Sequence, residues 1–197
     1  MTNSESRTPT EAVYAKGKLF ELVHITQPDG RIFEVARRAP GVRLIIPNFN
    51  DSKILLSREF RQELNSWDYR LPGGKVFDSL DEYEQYRKTG ARIVDAVLAK
   101  GRAEGCEEVG LELDELTLYR KSTLGATVEW DLFVLVAGAY HDSESGQQLE
   151  VGEQIEADNW VSFSEAEQMI IEGKMKEERI ALVLLQWLNE QKGQNEV

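Results

Sequence analysis

Three glutamates in one short helical window, Glu104, Glu107 and Glu108, are the side chains of this sequence best placed to do chemistry. At 3.6 residues per turn they fall within an arc of about 100° on one helix face. Carboxylates so close repel one another, and a like-charged i,i+4 pair is mildly destabilising. A hard divalent cation with oxygen ligands would offset that repulsion, whereas a solvated acidic face is the other reading of the charge pattern. Gly101 and Gly105 lie inside the same helix, each costing about 1 kcal/mol against alanine. Their i,i+4 spacing leaves a bare strip beside the acidic face where another backbone could approach closely. Upstream, Leu71-Pro72-Gly73-Gly74-Lys75 ends a strand in a turn whose peptide carbonyls are unencumbered. A glycine turn facing a carboxylate helix would form a metal cage from one backbone oxygen and several side-chain oxygens. An ordinary turn is the alternative for the two glycines.

The elements that must position these groups follow from hydrophobic period and turn chemistry. Residues 1–11 read as a disordered tail, and the terminal Lys-Gly-Gln-Asn-Glu-Val as a fraying end. From Val13 to Ala39 two β-rich stretches flank Gln27-Pro28-Asp29-Gly30, a turn in which proline presets one φ and glycine accepts a positive one. A second hairpin is expected between 42–49 and 53–60, around Asn50-Asp51, and a short strand over 67–71. Helical windows follow at about 80–88 and 91–109, then strands at 111–122, 128–140 and 155–163. Ser164, with Glu167 three residues on, reads as a capping-box helix start, and 177–191 carries apolar residues at helical spacing. Strands, a helix, more strands and closing helices predict a mixed sheet with helices on it, of α+β or α/β/α type.

Composition narrows the function classes. The 197 residues hold a 41% hydrophobic fraction, enough for a core, with no run long enough to span a membrane. A formal charge of −12 argues against a nucleic-acid partner and suits recruitment of divalent cations. One cysteine, Cys106, and no apolar leader segment over 1–11 point to a reducing, cytoplasmic setting. Cys106 itself reads as a small apolar residue rather than a nucleophile. Arginines matter for holding an anionic substrate in so acidic a chain. Arg58 and Arg61 are three apart, so on a regular strand only one faces the site, and Arg61 at the strand's end is the expected phosphate contact. Phe20, Phe33 and Trp67 could stack a base, with core packing the expected role of each.

Leu-Pro-Gly-Gly-Lys followed by Ala-Glu-Gly-Cys-Glu-Glu-Val-Gly-Leu resembles the Nudix hydrolase box, G-x5-E-x7-R-E-U-x-E-E-x-G-U with U apolar. Gly74 matches its first glycine, Glu104 the glutamate of R-E, Glu107 and Glu108 the E-E pair, and Gly110-Leu111 the closing G-U. The stretches 54–61 and 68–75, and the closing strand and helices over 153–188, are similar to the ADP-ribose and nucleoside-diphosphate-sugar pyrophosphatases. The resemblance covers Val13 to Trp187. The box departs from the pattern in several places. Residues 75–94 separate Gly74 from Asp95 where the family has five, so an insertion over about 79–94 splits the box. Ala103 replaces the box arginine, Gly105 the apolar U, and Ser122-Thr123-Leu124-Gly125 stands where S-P-G is common.

The resemblance implies a Nudix fold at 41–192, an α/β/α sandwich of α+β class, preceded at 12–40 by an antiparallel β extension that pairs subunits in a homodimer. It implies Mg²⁺, with Mn²⁺ as a substitute, held by the Gly73 carbonyl, Glu104, Glu107 and Glu108, with Glu153 a possible further ligand. It places a general base on the loop 147–153, making Glu150 and Glu153 the candidates, and counts Glu107 among the catalytic residues as well as the metal ligands. It assigns substrate contacts to Arg58, Arg61, Glu129 and Gly125. The implied reaction is hydrolysis of a nucleoside diphosphate linked to another group, ADP-ribose or a nucleotide sugar. A Nudix-like nucleotide-binding domain without efficient turnover is the alternative that Ala103 and the split box favour. An acidic interaction protein with no nucleotide site would leave the glycine and carboxylate arrangement unexplained. The tyrosine-bearing insertion is expected to form a surface helix, serving either as a lid or rim that restricts which groups fit beyond the diphosphate or as a peripheral elaboration.

Overall fold

The computed structural model describes residues 8–194. Its first three strands, β1 (Thr10–Lys16), β2 (Phe20–Thr26) and β3 (Ile32–Arg38), form an antiparallel meander. The 27–30 turn closes as its sequence predicts, with Gly30 at φ 86° and its N–H donating to the Gln27 carbonyl at 2.9 Å. Three strands stand where two were expected, because the chain reverses a first time at Gly17, whose N–H donates to the Phe20 carbonyl at 2.7 Å. Thr10 and Glu11, expected in the tail, belong to β1, and the rest of that expectation falls largely on residues 1–7, outside the described ones.

Next come β4 (Gly41–Ile45), β5 (Pro47–Asn48), β6 (Lys53–Arg61) and β7 (Ser66–Arg70). The hairpin expected here forms only at its tip, where β5 pairs with β6. Every residue of β4 is buried, a pattern that suits an interior parallel strand. It accordingly leaves the hairpin to pair in parallel with β10 (Leu132–Asp142). Between them in sequence lie α1 (Leu80–Lys88), α2 (Ile93–Val109), β8 (Leu111–Ser122) and β9 (Val128–Glu129); β11 (Ile155–Ser162), α3 (Phe163–Ile171) and α4 (Glu178–Gln194) complete the chain. One sheet has the order β4-β10-β8, a second β11-β6-β5 with β7 on β6, and β9 joins the meander beside β3.

Strand alternation builds two cores, one on each side of these sheets. Val42, Leu44, Leu55, Phe133 and Leu135 face the core that α1 and α2 cover, with Leu80 and Val97 in it. Ile45, Ile54, Leu56, Leu132 and Val134 face the other, filled by Met169, Ile180, Leu184, Trp187 and Leu188 from the closing helices. This is the α/β/α arrangement expected, with mixed sheets in the middle. Several boundaries shift, and the strand expected at 128–140 breaks into β9 and β10. The helix start read at Ser164 lies at Ser162, whose hydroxyl accepts from the Glu165 N–H at 3.1 Å. At the other end α4 runs on through Lys192 and Gly193, expected to fray, to Gln194. No helix among the described residues is long and apolar enough to cross a membrane.

Candidate active site

Helix α2 ends where Gly110 takes a left-handed conformation, φ 66°, and its N–H closes the last turn on the Cys106 carbonyl. That stop sets the last helical turn, and with it Glu104, Glu107 and Glu108, against the turn after β7. The contact is close. Gly73 N–H donates to Glu108 Oε2 at 2.6 Å, and a Cβ on Gly74 would overlap Glu104 Oε1. Gly73 sits at φ 130°, where a Cβ would strike the Val42 carbonyl, so two successive positions require glycine for different reasons. The glycine turn does face the carboxylate helix. The bare strip at Gly101 and Gly105 serves packing instead: a Cβ at Gly101 would come within 2.6 Å of Leu135 Cδ1, and one at Gly105 within 2.8 Å of Leu113. Core side chains approach most closely there, and the expected backbone approach is met only at Gly105, where a Cβ would lie 3.1 Å from the Leu111 carbonyl.

One cleft of about 870 Å³ gathers most of the expected residues: Gly73, Glu104, Glu107 and Glu108, the loop acids Glu150 and Glu153, and Arg61. Glu153 Oε2 accepts from the Glu150 N–H at 2.9 Å, tying the loop to itself. Arg61 lies between Glu59, at 2.7 Å, and Glu63, at 2.9 Å. Arg58 is outside the cleft, paired with Glu156 at 3.0 Å and stacked 4.7 Å from the Trp67 ring, as the odd spacing requires. Glu129 and Gly125 line a smaller neighbouring pocket, where Glu129 is held by Arg37 Nε. Phe20 and Phe33, expected in the core, are about half exposed on the meander. Burial pushes the Cys106 thiol up, which fits an unreactive residue.

Several groups in the cleft went unread in the sequence. Lys100, one turn before Glu104, sets its ammonium 3.1 Å from Glu104 and 3.3 Å from Glu107. Arg43 of β4 is buried and donates from Nη1 to the Gly73 carbonyl. A charged residue inside the apolar run 42–46 was the available signal for it. Arg70 is ringed by Glu59 at 3.4 Å, Asp68 at 3.3 Å and Glu177. Arg38 and Arg179 lie 4.4 and 4.3 Å from the Trp130 ring centre. Arg43 Nε, Trp130 Nε1, Glu177 Oε1 and Arg179 Nη2 are buried with no hydrogen-bond partner, an unusual concentration for one region.

Burial of the acidic helix face favours a proton or a cation on its carboxylates. Burial first, then the charge of Glu104, push the Glu108 carboxyl up to about 8, against the opposing pull of Arg43 and the Gly73 N–H. Burial likewise raises Glu104, with Lys100 pulling the other way. Lys100 and Arg43 thus offset only part of the cost of burying the two carboxylates, and their donor atoms are oxygens, so the set fits Mg²⁺ or Mn²⁺. No three acidic, histidine or cysteine side chains among the described residues stand ready-grouped as ligands. Each expected ligand already has a partner: Lys100 for Glu104 and Glu107, the Gly73 N–H for Glu108, the Glu150 N–H for Glu153 and Arg43 for the Gly73 carbonyl.

No family model matches the chain, and no curated protein matches it in sequence. Among solved structures it is similar to one described as "Crystal structure of ADP compounds hydrolase", with a TM-score of 0.68 over 97% of this chain and 98% of that one. At 20% sequence identity, that likeness shows that the two chains share a fold.

Proposed function

We propose that this protein is a Nudix-type pyrophosphohydrolase that cleaves the diphosphate of a nucleoside diphosphate linked to another group, with ADP-ribose and nucleotide sugars the first candidates. The observation that carries the reading is the convergence of Glu104, Glu107, Glu108, the glycine turn, Glu150 and Glu153 on one cleft also lined by arginines. The fold shared with an ADP compounds hydrolase is consistent with it.

Glu104, Glu107 and Glu108 would hold Mg²⁺ or Mn²⁺, with the Gly73 carbonyl and Glu153 as further donors. Such a cation supplies charge neutralisation on the diphosphate and a lowered pKa for bound water. Glu150 or Glu153 accepts the proton of the attacking water as its oxygen bonds to phosphorus and the bridging P–O bond breaks toward the leaving phosphate. Arg61 and Arg70 now satisfy carboxylates, so diphosphate oxygens must compete with Glu59, Glu63 and Glu177 for their N–H groups. A phosphate-release screen of ADP-ribose, nucleotide sugars and dinucleotides with Mg²⁺, coupled to phosphatase, tests this directly. Glu107→Gln and Glu108→Gln are expected to lose at least 100-fold in kcat, on the order of the loss when a charge-stabilising group is removed. Activity equal to that of the unaltered protein would overturn the assignment.

A second reading has its own observation. The Lys100 ammonium bridges Glu104 and Glu107 as a built-in cation, and Ala103 leaves the box without its arginine. A nucleotide-binding domain without turnover would look like this, and calorimetric binding of ADP-ribose with no phosphate release would select it. In either case the protein is proposed to act in the cytoplasm as a homodimer. The meander supports that assembly, since Val13, Tyr14, Ile32 and Phe33 expose roughly half or more of their surface on it.

A further inference from the structure

Next to the cleft, and sharing Arg38 and Trp130 with it, lies a second pocket of about 260 Å³. It is smaller than the roughly 300–1,000 Å³ usual for a whole small-molecule ligand, so it suits one end of a ligand whose remainder lies in the cleft. Tyr83 and Arg87 of the insertion helix α1 form part of its wall. That wall is fixed. Lys16 binds Asp81 at 2.8 Å and Glu84 at 3.2 Å, the Leu80 N–H donates to the Lys18 carbonyl at 2.9 Å, and Leu80 is 1% exposed. Tyr83 and Tyr86 both pack on Phe77 at 5.2 Å between ring centres, and the Tyr86 hydroxyl donates to the Arg92 carbonyl. The insertion is a built rim, not a lid over the site.

The charges around this pocket are unequal. Arg37 is engaged by Glu129, by Glu21 at 3.3 Å and by Glu11 at 3.2 Å. Asp131 is engaged by Lys121 at 2.8 Å. Arg38 and Arg87 have no carboxylate within ion-pair distance among the described residues. Each lies by aromatic rings instead: Arg38 is 4.4 Å from Trp130 and 5.1 Å from Phe20, and Arg87 is 5.7 Å from Tyr83. A guanidinium stacked on a ring keeps its in-plane N–H donors for a ligand. Two unmatched arginines on one small cavity run against the composition of a chain whose formal charge is −12.

We propose that this pocket binds a phosphate monoester carried by the substrate in addition to its diphosphate, with Arg87 and Arg38 as the recognising groups. The inference rests on the cleft being the diphosphate site, and it narrows the substrate class to phosphorylated nucleoside-diphosphate compounds. Two guanidinium groups, each a planar monocation with a fork of N–H donors, together match the charge of a phosphate dianion.

Matched compounds that differ by one phosphate test it: ADP-ribose 2′-phosphate against ADP-ribose, and coenzyme A against dephospho-coenzyme A. Dissociation constants are measured by calorimetry in EDTA, and kcat/KM with Mg²⁺. The phosphorylated member of at least one pair is expected to bind about 10-fold or more tightly, as a charged hydrogen bond of about 1.5–3 kcal/mol implies. Arg87→Gln should reduce that preference to about 2-fold or less while the unphosphorylated partner binds as before. Turnover of both members without preference overturns the pocket and leaves the diphosphate reading standing. An Arg87-dependent binding preference without turnover upholds the pocket and overturns the hydrolase reading. Binding of neither member, with no turnover, overturns both.

Discussion

Burial and the Glu104 charge hold the Glu108 carboxyl near pKa 8, far above its ordinary 4.5, and the consequence for stability has a definite sign. Between those values the folded protein keeps a proton on Glu108 that the unfolded chain has released. The stability this contributes is therefore full below about pH 4.5 and is lost as pH rises through 8. Glu104, raised for the same reason, adds to the trend. In metal-free buffer the melting temperature should fall from pH 5 to pH 8, and Glu108→Gln should flatten that slope and melt higher than the unaltered protein at pH 8. Scanning calorimetry in EDTA checks both; an unchanged slope would mean that Glu108 is ionised throughout. Arg43 acts in the opposite direction on the same carboxyl. Arg43→Met is accordingly expected to raise the Glu108 pKa further, which carboxyl-carbon NMR titration of the two proteins can read.

Helix α2 carries two glycines whose effect runs against propensity. In an exposed helix Gly101→Ala would stabilise by about 1 kcal/mol. Here the new methyl would meet Leu135 Cδ1 at 2.6 Å and Leu116 Cδ2 at 3.0 Å inside a core where Leu135 is fully buried. Overpacking costs about 1–3 kcal/mol, so packing wins and the melting temperature should drop, by up to several degrees for a chain of this size. A rise would show that the helix can shift away from the sheet. The same tight seating positions the three glutamates, and a variant that moves α2 should also weaken Mg²⁺-dependent stabilisation. Helix α1 makes a similar point. Its polar sequence suggests a helix lying on the surface, and that helix is anchored, with Leu80 buried and Tyr83 and Tyr86 packed on Phe77. Replacing residues 78–90 with a glycine-serine link should therefore lower stability as well as alter the discrimination among phosphorylated substrates.

At the scale of the whole molecule, the meander leaves large apolar side chains open to solvent. Every residue of β1 is exposed, and Tyr14 at 70% and Ile32 at 58% are poorly placed in water. A second copy covering this sheet is expected, so light scattering at micromolar concentration should give a particle near twice the 22.4 kDa chain mass. A mass of one chain would overturn the dimer. Tyr14→Glu and Ile32→Glu together should then shift the protein toward the monomer without unfolding the α/β/α body, whose two cores do not include either residue.

Local chemistry was enough to read the acidic helix, the Pro-Gly-Gly turn before it and the coarse succession of strands and helices, though not the extra reversal at Gly17, because turn residues, hydrophobic period and carboxylate spacing act over a few residues. The same short range kept Arg61 apart from Arg58 on β6. The partner of β4, the fixed seating of the insertion and the placing of Arg43, Lys100, Arg38 and Trp130 around the glutamates were decided only in three dimensions. Each depends on contacts between residues distant in the chain, such as Gly73 with Arg43 or Lys16 with Asp81. Charge pattern alone left the glutamates divided between a solvated face and a cation site. Burial raised the proton affinity of Glu104 and Glu108, and burial is a property that a sequence acquires only when the layers close over it.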